Sequence, residues 1–420
     1  MAGPHKDILV YADWQGIGGP VLIGTLAAVV VRGTEIFSFE YTAEWLRSNH
    51  AMSLDPDLQL YGGRQYIRDE KPNFGLFMDS SPDRWGRVLM KRREALIARQ
   101  EERRPLALFE SDFLLGVYDG NRMGGLRFKL EQDGPFLGHE QGLAAPPWGR
   151  LRELENASLQ LENDHIEDKN EELKWLNLLM APGASLGGAR PKASVTGPDG
   201  SLWIAKFPSI NDQADTGAWE IVVSDLATRA EITTAPAMIR KFSGRHHTFL
   251  AKRFDRTADQ QRVHFASAMT LLGYQDGADA QQGVSYLEIV EFIQRNGTNP
   301  TQNLKELWKR ILFNVLVKNT DDHLRNHGFV LEGAGWALSP AYDMNPVPHG
   351  TGLTLNISED GNALDTDLVL SVSPYFRVKK EEAEELISVF RKIVSGWVAV
   401  ADQYHLSRGE KESMADAFEH

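Results

Sequence analysis

The run Pro20 to Val31 (PVLIGTLAAVVV), the polar turn RGT and the following EIFSFEY are rich in β-branched and aromatic residues, which predicts strands through the first forty residues. Near Phe74 the text changes to FGLFM, then Asp79, then SSPDRWGRVLMKRR. Asp79 or Ser80 can cap a helix with Pro82 in its first turn, after which Trp85, Val88 and Leu89 fall at helical spacing as core residues. Pro-, Gly- and Ala-rich text from Gly134 to Gly149 marks a linker or long loop, with an acidic helix after it.

The stretch APGASLGGARPKASVTGPDGSLWIAKFPS predicts a small glycine-rich loop, a strand near Ala193 to Thr196, a GPDG turn and a second strand ending at Lys206 and Phe207. Lys206 lies between apolar Ala205 and Phe207, so alternation aims it at the opposite face from both. A helix over Gly217 to Ala230 buries Trp219, Val222, Val223, Leu226 and Ala227. AMIRKF and TFLAKRFDR flank a polar SGRHH turn as a hairpin. Beyond Asp255 the chain reads as mainly helical: LKELWKRILFNVLVKN delivers it to Asp321, and FVLE with GWALSP forms a short hairpin before Asp343. A last apolar stripe, Ala383, Leu386, Ile387, Phe390, Val394 and Trp397, predicts one packing helix.

Chemistry concentrates in NTDDHLRNHGFVLEGAGWALSPAYDMNP. Asn326 stands five residues after Asp321, and Asp343 seventeen further on. That is the spacing of a kinase catalytic centre: an Asp orients the acceptor hydroxyl, an Asn holds magnesium, and an Asp beyond a hairpin holds magnesium between the phosphates of ATP. Magnesium takes hard oxygen ligands, so one carboxylate, one amide oxygen and the phosphates suffice. Asp and Asn also populate turns, which is the plain alternative. A zinc site on His323 and His327 would need a Glu directly after the first His, where Leu324 stands, and the chain has no cysteine to add ligands.

The glycine-rich loop is the second chemical signal. Glycines at Gly187 and Gly188 let backbone N–H groups approach phosphate oxygens, and a strand lysine, Lys206, supplies a point charge for them. The alternative is a surface hairpin with Lys206 merely exposed. Glu220 is a candidate partner for Lys206, although an exposed Glu in the first turn of its helix is the simpler reading. Lys252 to Phe254 would be the hinge where kinase backbone groups meet the adenine.

Composition narrows the class. The apolar and charged fractions, 42% and 25%, are those of an ordinary globular protein, and 420 residues allow two or three domains. The longest apolar run is too short for a membrane span, no signal peptide is read, and the default location is the cytoplasm. A net charge of −13 argues against broad nucleic-acid binding. Arg84 to Arg104 nevertheless carries eight basic against three acidic residues, and Glu153 to Leu173 eight acidic against one basic. Each run reads as a solvated helix face; otherwise the first could meet nucleic acid or an acidic partner, and the second a basic one.

With these motifs in order, the chain resembles the HipA family, the serine/threonine kinase toxins of bacterial toxin–antitoxin pairs. The resemblance runs through PVLIGTL, FSFEYTAEWL, SLDPDLQL, SSPDRWGR, SLGGARPKASV, WIAKFP, RFDR, NTDDHLRNHGF and LSPAYDMNP, and so covers nearly the whole length. It implies that Asp321 is the catalytic aspartate, Asn326 and Asp343 the magnesium ligands and Lys206 the phosphate-binding lysine. It makes Ser185 a regulatory phosphorylation site whose modification expels the loop from the ATP site. It also implies a small helix-turn-helix antitoxin as partner, with DNA reached only indirectly, and aminoacyl-tRNA synthetases as the class of protein target. Many conventional kinases carry a phosphate-touching lysine two residues after the catalytic Asp; here His323 stands there, with Arg325 as a possible substitute.

The expectation is therefore an α+β, two-lobed protein-kinase-like fold, β-rich in its N-terminal part and mainly helical in its C-terminal part, with ATP between them. The expected segments are 1–133, a 150–254 segment holding the phosphate loop and Lys206, and a catalytic part over 255–420. The competing functions are a small-molecule phosphotransferase of the same fold, or a catalytically silent nucleotide-binding partner of a repressor.

Overall fold

The computed structural model describes residues 5–68, 71–138, 144–163, 166, 168–180, 188, 190–242 and 244–419. The chain divides into two compact units, Met1–Ile210 with Lys252–Ala266, and Asn211–Ala251 with Ser267–His420. The architecture is α+β.

In the first unit β1 (His5–Ala12), β2 (Val21–Val31) and β3 (Thr34–Tyr41) form an antiparallel meander. After the short helix α1 (Ala43–Arg47), β4 (Gln65–Tyr66) joins one edge; β5 (Leu126–Lys129) joins the other, giving the order β4-β3-β2-β1-β5. Strand alternation buries Ile8, Val10, Phe37, Phe39, Leu126 and Phe128. Phe77 of α2 (Gly75–Met78) meets the rings of Phe39 and Phe128.

Helix α3 spans Arg84–Gln100, and its N-cap is Asp83, whose Oδ1 accepts from the Gly86 N–H at 2.9 Å. The expected caps sit elsewhere: Asp79 ends α2, and Ser80 and Ser81 turn their hydroxyls back onto the carbonyls of Leu76 and Phe77. Pro82 therefore precedes the cap, where its locked φ feeds an extended residue into the helix. Trp85 and Leu89 are buried, whereas Val88 is 53% exposed and belongs to the outer face.

The acidic segment is two helices, α5 (Leu151–Glu162) and α6 (Lys169–Met180), which follow α4 (Glu110–Leu115). The basic and acidic runs turn out to be partners of each other. Arg92 of α3 donates to Glu172 of α6 at 2.5 Å, Arg93 donates to Asn177 at 2.7 Å, and the Glu172 side chain is only 3% exposed. Arg87 makes a two-pronged bond with Glu110, at 2.5 and 2.7 Å. A planar guanidinium matches a carboxylate fork, so these arginines hold helices together instead of facing solvent.

Strands β6 (Lys192–Thr196) and β7 (Leu202–Lys206) pair antiparallel across the GPDG turn, with Lys192 directly opposite Lys206. The returning Lys252–Ala266 segment is fastened to this unit by the RFDR motif. Arg253 donates to the Asn121 carbonyl at 2.5 Å and to both oxygens of Asp255, and Asp255 accepts from the Gly124 N–H at 2.9 Å.

The second unit begins with α7 (Thr216–Arg229), capped by Asp215 and burying Trp219, Val222, Val223, Leu226 and Ala227. Gly217 is required there: a Cβ would lie 2.3 Å from the His247 carbonyl oxygen. Strands β8 (Ala237–Arg240) and β9 (Thr248–Lys252) form the expected hairpin. After β10 (Phe265–Ser267) and α8 (Ala268–Leu271) come α9 (Tyr286–Asn296) and α10 (Pro300–Leu316), the latter buried along most of its second half. The hairpin β11 (Gly328–Glu332) and β12 (Gly335–Leu338) follows, and then α11 (Thr366–Ser371).

The last apolar stripe does not lie on one helix. α12 (Lys380–Val394) stops at Ser395 and Gly396, and Trp397 opens α13 (Trp397–Gln403), with α14 (Arg408–Met414) beyond. Trp397 stacks on Phe418 and tilts against Trp219, an attraction from outside α12 that helical spacing cannot register.

Candidate active site

α10 ends at Leu316, and left-handed Lys318 (φ +46°) turns the chain into the loop Asn319–His327. Within it, neighbouring aspartates part ways. Asp321 is exposed, whereas Asp322 is 4% exposed and held from three sides. A single helical turn of the 3-10 type, Leu324–Asn326, then buries Leu324 and brings the Asn326 side chain back under the loop.

The Asn326 amide is oriented by what it touches. Its Nδ2 donates to the backbone carbonyl of Asp321 at 2.9 Å, which fixes the orientation of the amide and with it the position of Oδ1. That oxygen is buried and has no hydrogen-bond partner among the described residues. An orphaned buried carbonyl oxygen costs about 1–3 kcal/mol, and a hard cation is the partner such an oxygen suits.

Asp343 is brought to the same place by its neighbours. The Tyr342 hydroxyl donates to the Arg325 carbonyl at 2.6 Å, so the residues immediately before Asp343 and Asn326 are bonded to each other. Asp343 sits at φ +59°, in the left-handed region that Asp and Asn tolerate better than most side chains. Asn345 Nδ2 donates to Asp343 Oδ1 at 3.2 Å, and the Asn345 N–H donates to Asn319 Oδ1 at 3.2 Å. One exposed carboxylate, one unpartnered amide oxygen and one half-buried carboxylate on a strained backbone thus lie on two segments tied together by hydrogen bonds. The donor set is all hard oxygen, which fits magnesium.

His323 is half-buried, its Nδ1 unpartnered among the described residues, and the Arg325 guanidinium lies 3.7 Å from Asp276. His327 places Nε2 2.8 Å from Asp322 Oδ2. Among the described residues no group of three or more His, Cys, Asp or Glu is placed to hold a metal ion.

The other expected site residues belong to the first unit. Ser185 and Gly187 lie outside the described residues; Gly188 is described, with φ +90°. A Cβ at Gly188 would stand 3.3 Å from the Lys192 Nζ. Lys192 itself, to which the sequence pattern assigns no role, is buried and pairs with Asp83 at 2.9 Å. Lys206 is half-buried at the end of β7, and the burial of Ala205 and Phe207 agrees with the expected alternation. Lys252 lies 3.5 Å from Asp199 of the GPDG turn, and the Arg253 N–H donates to the Leu202 carbonyl at 2.9 Å, beside half-buried Phe254. Glu220 is buried within the second unit, so the exposed first-turn position expected for it is overturned: α7 is covered on nearly every side.

Comparison with known proteins meets this geometry. The family described as the HipA-like C-terminal domain matches residues 184–397, about half of the chain and all of the Asp321–Asp343 region. A Haemophilus influenzae protein assigned only provisionally as a kinase is 33% identical over 129 residues. The serine/threonine-protein kinase toxin HipA of Shewanella oneidensis is 26% identical over 194 residues. These alignments cover 27% and 40% of this chain and 38% and 44% of the relatives, less than half of their lengths. A chain of the solved Shewanella oneidensis HipA, HipB and operator DNA complex matches with a TM-score of 0.67 at 17% identity, over 98% of this chain and 94% of that one, and so shares its fold. Residue pattern, family match and whole-chain fold agree, and the protein belongs to the HipA family of kinases and kinase-like proteins.

Proposed function

We propose that this protein is an ATP- and Mg2+-dependent serine/threonine protein kinase acting as the toxin of a bacterial toxin–antitoxin pair. The observation that carries the reading is the Asn326 amide, whose nitrogen donates to the Asp321 carbonyl and whose buried oxygen has no partner among the described residues. Asn326 Oδ1 and the Asp343 carboxylate would hold Mg2+. Lys206 would place its charge at the nucleotide phosphates, to which Gly187 and Gly188 would offer backbone N–H groups, and the Lys252–Phe254 backbone would meet the adenine. Asp321, exposed on a loop fixed from below, orients a Ser or Thr hydroxyl and takes its proton late in the transfer. When bound, Mg2+–ATP supplies the phosphoryl group, in a reaction where positioning and charge do most of the catalysis.

The HipA of Shewanella oneidensis occurs with HipB and operator DNA. The corresponding partner here is a small helix-turn-helix antitoxin, with DNA reached only through it. The substrate is a cytoplasmic, translation-related protein such as an aminoacyl-tRNA synthetase, and Ser185 is a site of autophosphorylation. Incubation with γ-labelled ATP, Mg2+ and a cell extract should place label on Ser or Thr of a protein, with mass spectrometry finding phosphate on Ser185. Label confined to small molecules would replace the protein-kinase reading with a small-molecule phosphotransferase; an unmodified Ser185 would remove the autoregulatory part alone.

A further inference from the structure

Beneath the loop that carries Asp321 lies a set of buried polar side chains to which the proposed chemistry gives no part. Asp322 Oδ2 accepts from the Tyr286 hydroxyl at 2.6 Å and the Asn314 Nδ2 at 2.7 Å, and lies 2.8 Å from His327 Nε2. Tyr286 opens α9 and Asn314 lies near the end of α10, so two helices and the loop converge on one carboxylate oxygen. Asn314 Oδ1 in turn accepts from Asn319 Nδ2 at 3.0 Å, Asn319 Oδ1 accepts from the Asn345 N–H at 3.2 Å, and Asn345 Nδ2 reaches Asp343 Oδ1 at 3.2 Å. Tyr286, Asn314, Asn319, Asp322 and His327 are all at most 4% exposed.

The geometry follows a purpose that packing alone does not require. Asp322 is the covalent neighbour of Asp321, His327 is the covalent neighbour of Asn326, and the Asn314–Asn319–Asn345 relay ends on Asp343. One buried carboxylate therefore stands behind all three residues of the proposed centre. Each link is a directional hydrogen bond, between side chains throughout except where the Asn345 backbone N–H meets Asn319, so displacement at one end is passed to the other.

We propose that Asp322 is a positioning residue for phosphoryl transfer, setting Asn326 through His327 and Asp343 through the asparagine relay so that both present oxygen to Mg2+. The inference rests on the kinase reading above and deepens it. Removing such an outer ligand partner lowers metal affinity or activity by about 10- to 100-fold.

The test uses the full chain with Asp322→Asn, Asn345→Ala, His327→Ala and His327→Gln. Binding of mant-ATP is measured by fluorescence with and without Mg2+, beside kcat and KM for ATP and a thermal melt. Asp322→Asn is expected to bind mant-ATP without Mg2+ within about twofold of wild type, to lose about 10-fold or more of the Mg2+-dependent gain with a matching rise in KM for Mg2+–ATP, and to lose kcat as well. Asn345→Ala, which keeps its backbone bond to Asn319, should show the same pattern more weakly and melt like wild type. His327→Gln retains a donor toward Asp322 and should recover most of what His327→Ala loses. A wild-type Mg2+ response in folded Asp322→Asn and Asn345→Ala, or equal losses with and without Mg2+, would overturn the proposal while wild-type transfer stands. A wild-type protein with neither transfer nor Mg2+-dependent nucleotide binding would sink the kinase reading itself, and this inference with it.

Discussion

Asp255 in the first unit and Asp322 in the second are both buried loop carboxylates, and they are held by opposite means. Asp255 accepts from the guanidinium groups of Arg253 and Arg256, at 2.6 and 2.5 Å, as well as from the Gly124 N–H. Asp322 is met by a hydroxyl, an amide and an imidazole. Burial works to raise the Asp255 pKa, but the charges of Arg253 and Arg256 outweigh it and hold the carboxyl far below its ordinary value. At Asp322 burial also raises, and the charge and hydrogen bond of His327, with the bond from Tyr286, leave the carboxyl below its ordinary value. Guanidinium cations stabilise the buried charge strongly and tie Asp255 to the segments around it, whereas the donors on Asp322 link it to the residue next to Asn326 and to the asparagine relay. The Asp255 cluster therefore reads as a brace, and the Asp322 cluster as the proposed aiming device beneath exposed Asp321.

The sharpest break in that comparison is Asp255→Ala. Two buried guanidinium groups would lose their counter-charge, and the expected loss of stability in urea unfolding is about 3–5 kcal/mol. Asp322→Asn should cost less, about 1–3 kcal/mol, because its partners are not fixed charges. A larger loss at Asp322 than at Asp255 would reverse the assignment of brace and aiming device.

Acidification gives the smallest and most selective effect. The folded pKa of Asp255 is depressed below an unfolded value of about 3.9, so its contribution is present above that value and is lost as pH falls towards the folded pKa. The stability advantage of wild type over Asp255→Asn should be constant above about pH 5 and shrink below about pH 4. A difference independent of pH down to about 3 would mean that Asp255 is not ionised in its arginine cage.

Much of this was legible in the sequence because it is local. The strands ending at Thr196 and Lys206, the helix through Trp219 and the hairpin before Asp343 all follow from short-range periodicity and turn chemistry. The features that escaped depend on partners distant in sequence. Nothing near Arg92 announces Glu172, eighty residues away, so the two charged runs read as separate solvated faces although α3 and α6 pair through them. Glu220 looks exposed when only its own helix is in view. The cap of α3 moves to Asp83 because Asp79, Ser80 and Ser81 are already engaged with the preceding turn. Asp321, Asn326 and Asp343 stood out by their spacing, whereas the burial of Asp322 did not: its donors Tyr286 and Asn314 come from two other helices. The doubled aspartate was the available signal, since two adjacent like charges favour different surroundings.

Asp321 is proposed to perform phosphoryl transfer beside a magnesium site made by Asn326 and Asp343. Transfer from γ-labelled ATP by wild type and Asp321→Asn, with mant-ATP binding measured on the same preparations, tests it most directly. The account predicts a folded variant that binds Mg2+–nucleotide like wild type and transfers phosphate slower by about three orders of magnitude or more. Near wild-type transfer by Asp321→Asn would contradict it.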